Sequence, residues 1–189
     1  MIKSAYKSIE NVVQNAKGEL MNHTIHIKKL GPINECTLEI KQFNVFTGPQ
    51  SNGKSTVAKA IYYCRSIKQD ILNIMMQGGP SKVFSAKTDW KGAMQARMKD
   101  KFLQIFGTLW IMPSDMMLDY VYGDEKMSLC VSLNEDYERP GHNYVNIQFS
   151  EGFLELFQEL DDNVFLDPYA FKKGHWEEVL TKTLQDPYE

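Results

Sequence analysis

Eight consecutive residues leave this chain few folds to choose from. Gly48-Pro49-Gln50-Ser51-Asn52-Gly53-Lys54-Ser55 reads G-x-x-x-x-G-K-S, the pattern of a loop that wraps a phosphate chain. Gly48 and Gly53 carry no Cβ, so the backbone can close tightly round an anion. The N–H groups of such a loop, and of the helix that follows it, point at phosphate oxygens. Lys54 supplies a mobile positive charge for the outer phosphates, and the Ser55 hydroxyl is the expected Mg²⁺ ligand. Thr56 can add a bond to the innermost phosphate. An apolar run over residues 43–46 leads in as a buried strand should, and a helical pattern follows at once. A random chain of this length matches the pattern in roughly one case in a hundred, and the strand–loop–helix context makes chance rarer still.

The whole chain narrows the classes further. Its 189 residues suffice for one domain with a real core, or one domain plus a small insertion. The net charge of −3 gives no global basic signature, so non-specific nucleic-acid binding by this segment is disfavoured. Ten Met residues suit a core or an adaptable interface. Cys36, Cys64 and Cys130 are far apart and lack C-x-x-C spacing. That points away from a zinc site or a disulfide framework and toward a reducing, cytoplasmic compartment. His23 and His26 fall on an expected strand at a spacing that sends them to opposite faces, so they cannot pair as ligands. No apolar stretch approaches the ~18 residues of a membrane span, and the N-terminus lacks the continuous apolar core of a signal peptide.

Taken in order, Ile2, Tyr6, Ile9, Val13 and Ala16 predict a helix over residues 2–17, ended by Gly18. This sets residues 1–20 apart as an N-terminal helix and leaves 21–189 as the body. Alternation predicts strands over 24–30 and 35–40, joined by Gly31-Pro32, and a third over 43–46. Val57, Ile61, Cys64, Ile67, Ile71 and Ile74 predict one long helix over 54–76, stopped by Gly78-Gly79-Pro80. A second helix is expected over 89–106, with Asp89 as N-cap, Trp90, Met94, Met98, Phe102 and Ile105 on one face, and Gly107 closing it. Residues 120–122 and 127–133 flank a hairpin turn at Gly123-Asp124-Glu125-Lys126. Val145, Ile147 and Phe149 alternate as a further strand. Ser150 can cap a helix holding Phe153, Leu156, Phe157 and Leu160. Asp167-Pro168 starts a last helical stretch, broken near Gly174.

Two strands thus precede the strand that feeds the loop. With that order in place, three stretches resemble the N-terminal lobe of an ABC-type ATPase head: Ile25-His26-Ile27-Lys28-Lys29-Leu30-Gly31-Pro32-Ile33, residues 43–48, and residues 48–59. The likeness is to the RecF/SMC/OLD-like ATPases often labelled AAA-family proteins of bacteria. It is specific over 24–63 and loose over 84–160, where only the helix-then-strands layout is shared. The resemblance implies an α/β P-loop NTPase fold of ABC type. An antiparallel β-subsheet would precede the P-loop strand, a helical plus β insertion (about 80–160) would follow the P-loop helix, and the whole would be an incomplete half of a larger head. It implies ATP and Mg²⁺ as cofactors. Gly48, Pro49, Gln50, Ser51, Asn52, Gly53, Lys54, Ser55 and Thr56 would surround the nucleotide, with Lys54 and Ser55 on the phosphates and metal. In that family a pair of heads sandwiches a pair of ATP molecules. A head-to-head homodimer or a partner chain is therefore implied, with DNA reached through the full assembly, no membrane, and DNA repair, chromosome maintenance or phage defence as the setting.

The rest of the family machinery does not match. A Walker B motif needs an apolar strand ending in Asp-Glu. Asp124-Glu125 follows Tyr122-Gly123 and reads as a hairpin turn. Asp167 follows Val164-Phe165-Leu166, but Pro168 stands where the catalytic Glu would be. No Leu-Ser-x-Gly-Gly-like signature is present, and Gln148 reads as a solvated strand position rather than a Q-loop. Lys28 and Lys29 lie where some relatives contact the base, and read more simply as a surface pair. Catalytic residues stay unassigned, and the expectation is that Walker B and signature lie beyond Glu189 or in a partner. Two rivals remain: a nucleotide-dependent protein-interaction module without hydrolysis, and a P-loop kinase or GTPase. The preceding strands and the lack of a guanine-specificity motif argue against the second.

Overall fold

The computed structural model describes residues 23–83, 89–107, 112–133, 144–166 and 173–184. The expected helix over 2–17 and the helix start at Asp167-Pro168 lie outside them. Alternating apolar residues make β1 (His23–Leu30) and β2 (Ile33–Ile40) a hairpin across Gly31-Pro32. Gly31 sits there at φ +56°, a left-handed conformation that glycine adopts without strain. β3 (Met117–Tyr122) pairs with β1, β4 (Asp124–Leu133) with β3, and β5 (Val145–Phe149) with β4. The result is one five-stranded, wholly antiparallel sheet in the order β2-β1-β3-β4-β5. The expected hairpin at Gly123 is present, with β4 starting at Asp124 rather than at residue 127 and an irregularity between Val121 and Tyr122.

The two-residue period of a strand decides the faces. Ile25, Ile27, Leu118, Tyr120, Leu129, Val131 and Ile147 point inward and are buried. Thr24, His26, Asp119, Cys130, Asn146 and Gln148 alternate with them on the other face. His23 is buried and His26 is not, as their spacing predicts: His23 Nδ1 meets the Tyr120 hydroxyl at 2.8 Å, and His26 Nε2 meets Glu35 Oε1 at 3.2 Å. Other buried phenols also find partners. Tyr122 donates to the Cys64 carbonyl at 2.6 Å and Tyr63 to the Met98 carbonyl at 3.0 Å, so sheet and helices are joined by oriented bonds as well as by contact.

Helices cover the inner face. They are α1 (Lys54–Arg65), α2 (Ile67–Val83), α3 (Trp90–Phe106), α4 (Glu151–Leu166) and α5 (Lys173–Thr183). α3 packs on β5 and touches α1, α2 and α4; α4 packs on β4 and β5; α5 packs on α2. α3 follows its sequence closely. Asp89 Oδ1 accepts from the Gly92 N–H at 2.9 Å, Trp90, Met94, Met98 and Phe102 are buried, and Gly107 caps the end.

Three expectations need correction. The long helix over 54–76 is two helices that part at Ser66. The Ser66 hydroxyl donates back to the Tyr63 carbonyl at 2.8 Å, and such back-bonding bends helices. Gly78-Gly79-Pro80 does not stop α2, which runs on to Val83. Helix growth adds a bond per residue once a turn is anchored, and the buried Ile67, Ile71, Leu72 and Met75 anchor this one. α5 (Lys173–Thr183) takes up the helical stretch through Trp176, Val179 and Leu180, and the residues just before it, where the break near Gly174 would show, lie outside the described ones. Residues 43–46 are not a strand: Phe43 is 76 % and Val45 58 % exposed. β1 is flanked on both sides by β2 and β3, and the open edge at β2 carries the exposed Glu35 and Glu39, charges that discourage a further strand. After β2 the chain instead turns away, Asn44 accepting from the Lys41 N–H and donating to the Lys41 carbonyl.

Candidate phosphate-binding loop

The loop that the sequence singles out lies at the Gly31 end of the β1–β2 hairpin, where it leads into α1. Its backbone reverses hand repeatedly. Gly48 has φ +140°, Ser51 φ +65° and Gly53 φ +82°, while Asn52 between the last two is not left-handed. Successive residues of opposite hand turn their N–H groups to one side and make an anion-binding concavity. A left-handed serine costs roughly 1–2 kcal/mol, so surrounding packing must hold Ser51 in place.

Close packing is visible at the neighbouring Gly53. A Cβ at Gly53 would lie 2.7 Å from Cγ1 of Ile33, and one at Gly31 would lie 3.4 Å from Oγ1 of Thr56. The hairpin turn is thus seated against both the loop and the first turn of α1. Gly53→Ala combines this clash with a left-handed φ. The expected result is a stability loss of about 2 kcal/mol, with part of any ligand affinity lost as the loop shifts. Urea unfolding checks it, and a variant as stable as the parent would show that the loop is not held by Ile33.

The N–H of Val57 closes the first helical bond onto the Gly53 carbonyl at 2.9 Å. α1 has no side-chain cap and no acidic residue in its first turn. The N–H groups that a helix leaves unpaired at its start therefore open onto the loop, with the positive end of the helix dipole behind them. A cleft of about 440 Å³ lies there, lined by Pro32, Gly48, Gln50, Ser51, Asn52, Gly53, Lys54, Ser55 and Thr56. Eight of the nine predicted site residues thus line one cleft, and the carbonyl of the ninth, Pro49, accepts from Lys54. Lys54 Nζ donates to the Gly48 carbonyl at 2.8 Å and also to the Pro49 carbonyl, so the ammonium folds over the loop mouth.

The acidic candidates are elsewhere. Thr24 pairs with Val121, so the Gly123 turn lies at the His23 end of the sheet, whereas the loop lies at the Leu30 end. Six residues of strand separate the two ends, about 20 Å. Asp124 and Glu125 cannot reach a phosphate held by Lys54. Asp167 lies outside the described residues. Gln148 is exposed in β5, on the face away from the helices. Lys28 bridges to Asp115 at 3.2 Å, and Lys29 Nζ donates to Asn34 Oδ1 at 3.3 Å.

No cysteine is activated. Burial pushes the thiols of Cys36, Cys64 and Cys130 up, and the Asp119 charge adds to the rise at Cys64 and Cys130. They stay protonated at neutral pH, which removes the nucleophilic form. Half-burial raises the Asp119 carboxyl too, partly offset by His26 and the Tyr120 N–H. Among the described residues no group of three or more His, Cys, Asp or Glu could hold a metal ion, and no helix is long and apolar enough to cross a membrane.

Sequence reading did not find the cluster around Asp70. This side chain is 1 % exposed and meets Arg97 Nε at 2.8 Å and Lys101 Nζ. Lys101 also donates to Ser66 Oγ at 2.9 Å. The partners come from different helices, so no spacing announces them. Comparison with known protein families, with curated proteins and with solved structures finds no match.

Proposed function

We propose that this chain binds ATP with Mg²⁺ through residues 48–56, as the nucleotide-binding lobe of an ABC-type ATPase. The observation that carries the reading is the loop itself: residues of alternating hand run straight into an uncapped helix start, with a lysine over the mouth. That combination concentrates N–H donors and positive potential on one open cleft, which suits a polyphosphate. Lys54 would turn from the Gly48 and Pro49 carbonyls to the outer phosphates. Ser55, exposed on the first turn of α1, would offer its hydroxyl to Mg²⁺ beside the phosphate oxygens.

Hydrolysis is assigned to a completed assembly. Turnover needs an acidic residue to hold the metal and orient water, and the Asp124-Glu125 pair is remote from the loop. The exposed Phe43 and Val45 favour completion by further strands, in this protein or in a partner, laid beside the loop's lead-in. The same remoteness favours a second reading, in which nucleotide occupancy controls association and no turnover occurs.

Calorimetry of the full chain with ATP, in Mg²⁺ and in EDTA, tests the proposal. Binding is expected in both, weaker in EDTA by about tenfold, and Ser55→Ala is expected to blunt that difference. Absence of ATP binding would overturn the proposal, and a Ser55→Ala protein with the parental Mg²⁺ response would remove Ser55 from the site. Phosphate release by this chain alone is expected to stay at background.

A further inference from the structure

Far from the loop along the sheet order, β5 is an edge among the described residues, with an unusual neighbour. The Ser150 N–H donates to the Ser128 carbonyl at 3.0 Å, which makes that pair a hydrogen-bonded one. Alternation along an antiparallel ladder then bonds Gln148 to Cys130 and Asn146 to Ser132, and turns the N–H and C=O groups of Val145, Ile147 and Phe149 outward. Gln95 Nε2 donates to the Ile147 carbonyl at 2.8 Å, so at least one outward group is already accepting from α3. Between this edge and α3 lies a groove of about 420 Å³ whose helical wall is Gln95, Ala96, Lys99, Asp100 and Leu103. The wall runs about 12 Å along the helix, room for about four residues of extended chain.

The other edge of the sheet is built differently. β2 exposes Glu35 and Glu39, charges that discourage a further strand, whereas β5 has no charged residue. Lys99 stands in the groove wall without a hydrogen bond or ion pair among the described residues, and partial burial lowers its pKa against a weaker opposing effect of Asp100. A cation so placed gains from an incoming carboxylate.

We propose that the β5 edge and the facing wall of α3 bind an extended segment of a partner polypeptide, added as a sixth strand, with an acidic side chain set against Lys99. The main-chain groups of Val145 and Ile147 give affinity, Gln95 yielding the Ile147 carbonyl to the incoming strand, and the groove wall selects side chains, as in other cases of strand addition.

The test is selection of a random octapeptide library displayed on phage against the full chain. Anisotropy titration of the labelled consensus peptide follows. Enriched peptides are expected to alternate β-branched residues with an acidic one. Ala96→Trp, which fills the groove from an exposed helical position, is expected to weaken the consensus peptide at least tenfold. Lys99→Glu is expected to do the same and to reverse the preference toward a peptide with Lys in place of its acidic residue. Circular dichroism and unfolding midpoints confirm that both variants fold. No enrichment, or binding indifferent to Ala96→Trp, overturns the proposal. Binding lost in Ala96→Trp but unchanged in Lys99→Glu overturns the acidic partner.

Discussion

Lys54→Ala is expected to weaken ATP binding by about 2–4 kcal/mol, roughly 30- to 1,000-fold. The size follows from charge. A hydrogen bond between an ammonium and a phosphate is stronger than a neutral one, and among the described residues this ammonium is the only side-chain cation in the cleft lining. The effect on folding should be small by comparison. Among the described residues Lys54 Nζ bonds only to the carbonyls of Gly48 and Pro49 on an exposed loop, and surface changes of that kind stay within about 0.5 kcal/mol. Affinity and stability are therefore expected to separate: a large loss in calorimetry, a nearly unchanged urea midpoint. Equal affinities in parent and variant would mean that the loop does not cradle a polyphosphate, whatever its sequence pattern.

The loop's backbone was legible because its turns lie in one contiguous segment. Gly48 and Gly53 sit where the chain has positive φ, and no distant partner has to be guessed. Local periodicity served well for β1 and the Gly123 hairpin, which bury the side chains their spacing selects, and for β2 and α3, where Ile40, Trp90, Met94, Met98 and Phe102 are buried and Cys36, Leu38 and Ile105 partly so. Residues 43–46 show where such reading ends. Apolar character says that a segment suits a strand; whether a sheet edge accepts it depends on that edge, and here the edge at β2 carries Glu35 and Glu39. The break at Ser66 turned on one hydroxyl choosing a carbonyl behind it, and the continuation through Pro80 on anchoring residues far upstream. Acidic residues for hydrolysis belong to another category. Their role depends on three-dimensional proximity to the loop, and the Asp124-Glu125 pair, adjacent in sequence, proved to lie at the wrong end of the sheet.

The largest stability effect is expected at Asp70. Its carboxylate is 1 % exposed and receives Arg97 and Lys101, whose side chains are 34 % and 20 % exposed. Breaking a buried pair by removing one partner costs about 3–5 kcal/mol, because the other charge is left uncompensated. Here the two cations keep some access to water, which moves the expectation for Asp70→Ala to the lower end, about 3 kcal/mol. The consequence is amplified by position. The cluster joins α2 to α3 and includes Ser66, whose hydroxyl accepts from Lys101 at 2.9 Å and donates to the Tyr63 carbonyl at 2.8 Å. Losing the carboxylate therefore leaves two like charges facing each other beside the helix break. Against a total stability of about 5–15 kcal/mol for a domain of this kind, that is a large fraction. Urea unfolding of parent, Asp70→Ala, Arg97→Ala and the double variant measures it as a cycle. Arg97→Ala is expected to cost much less in the Asp70→Ala background than in the parent, since its partner is already gone. A loss below about 1 kcal/mol for Asp70→Ala, or costs that simply add, would place the group in the weak class of surface ion pairs and leave apolar packing alone to hold α2 on α3.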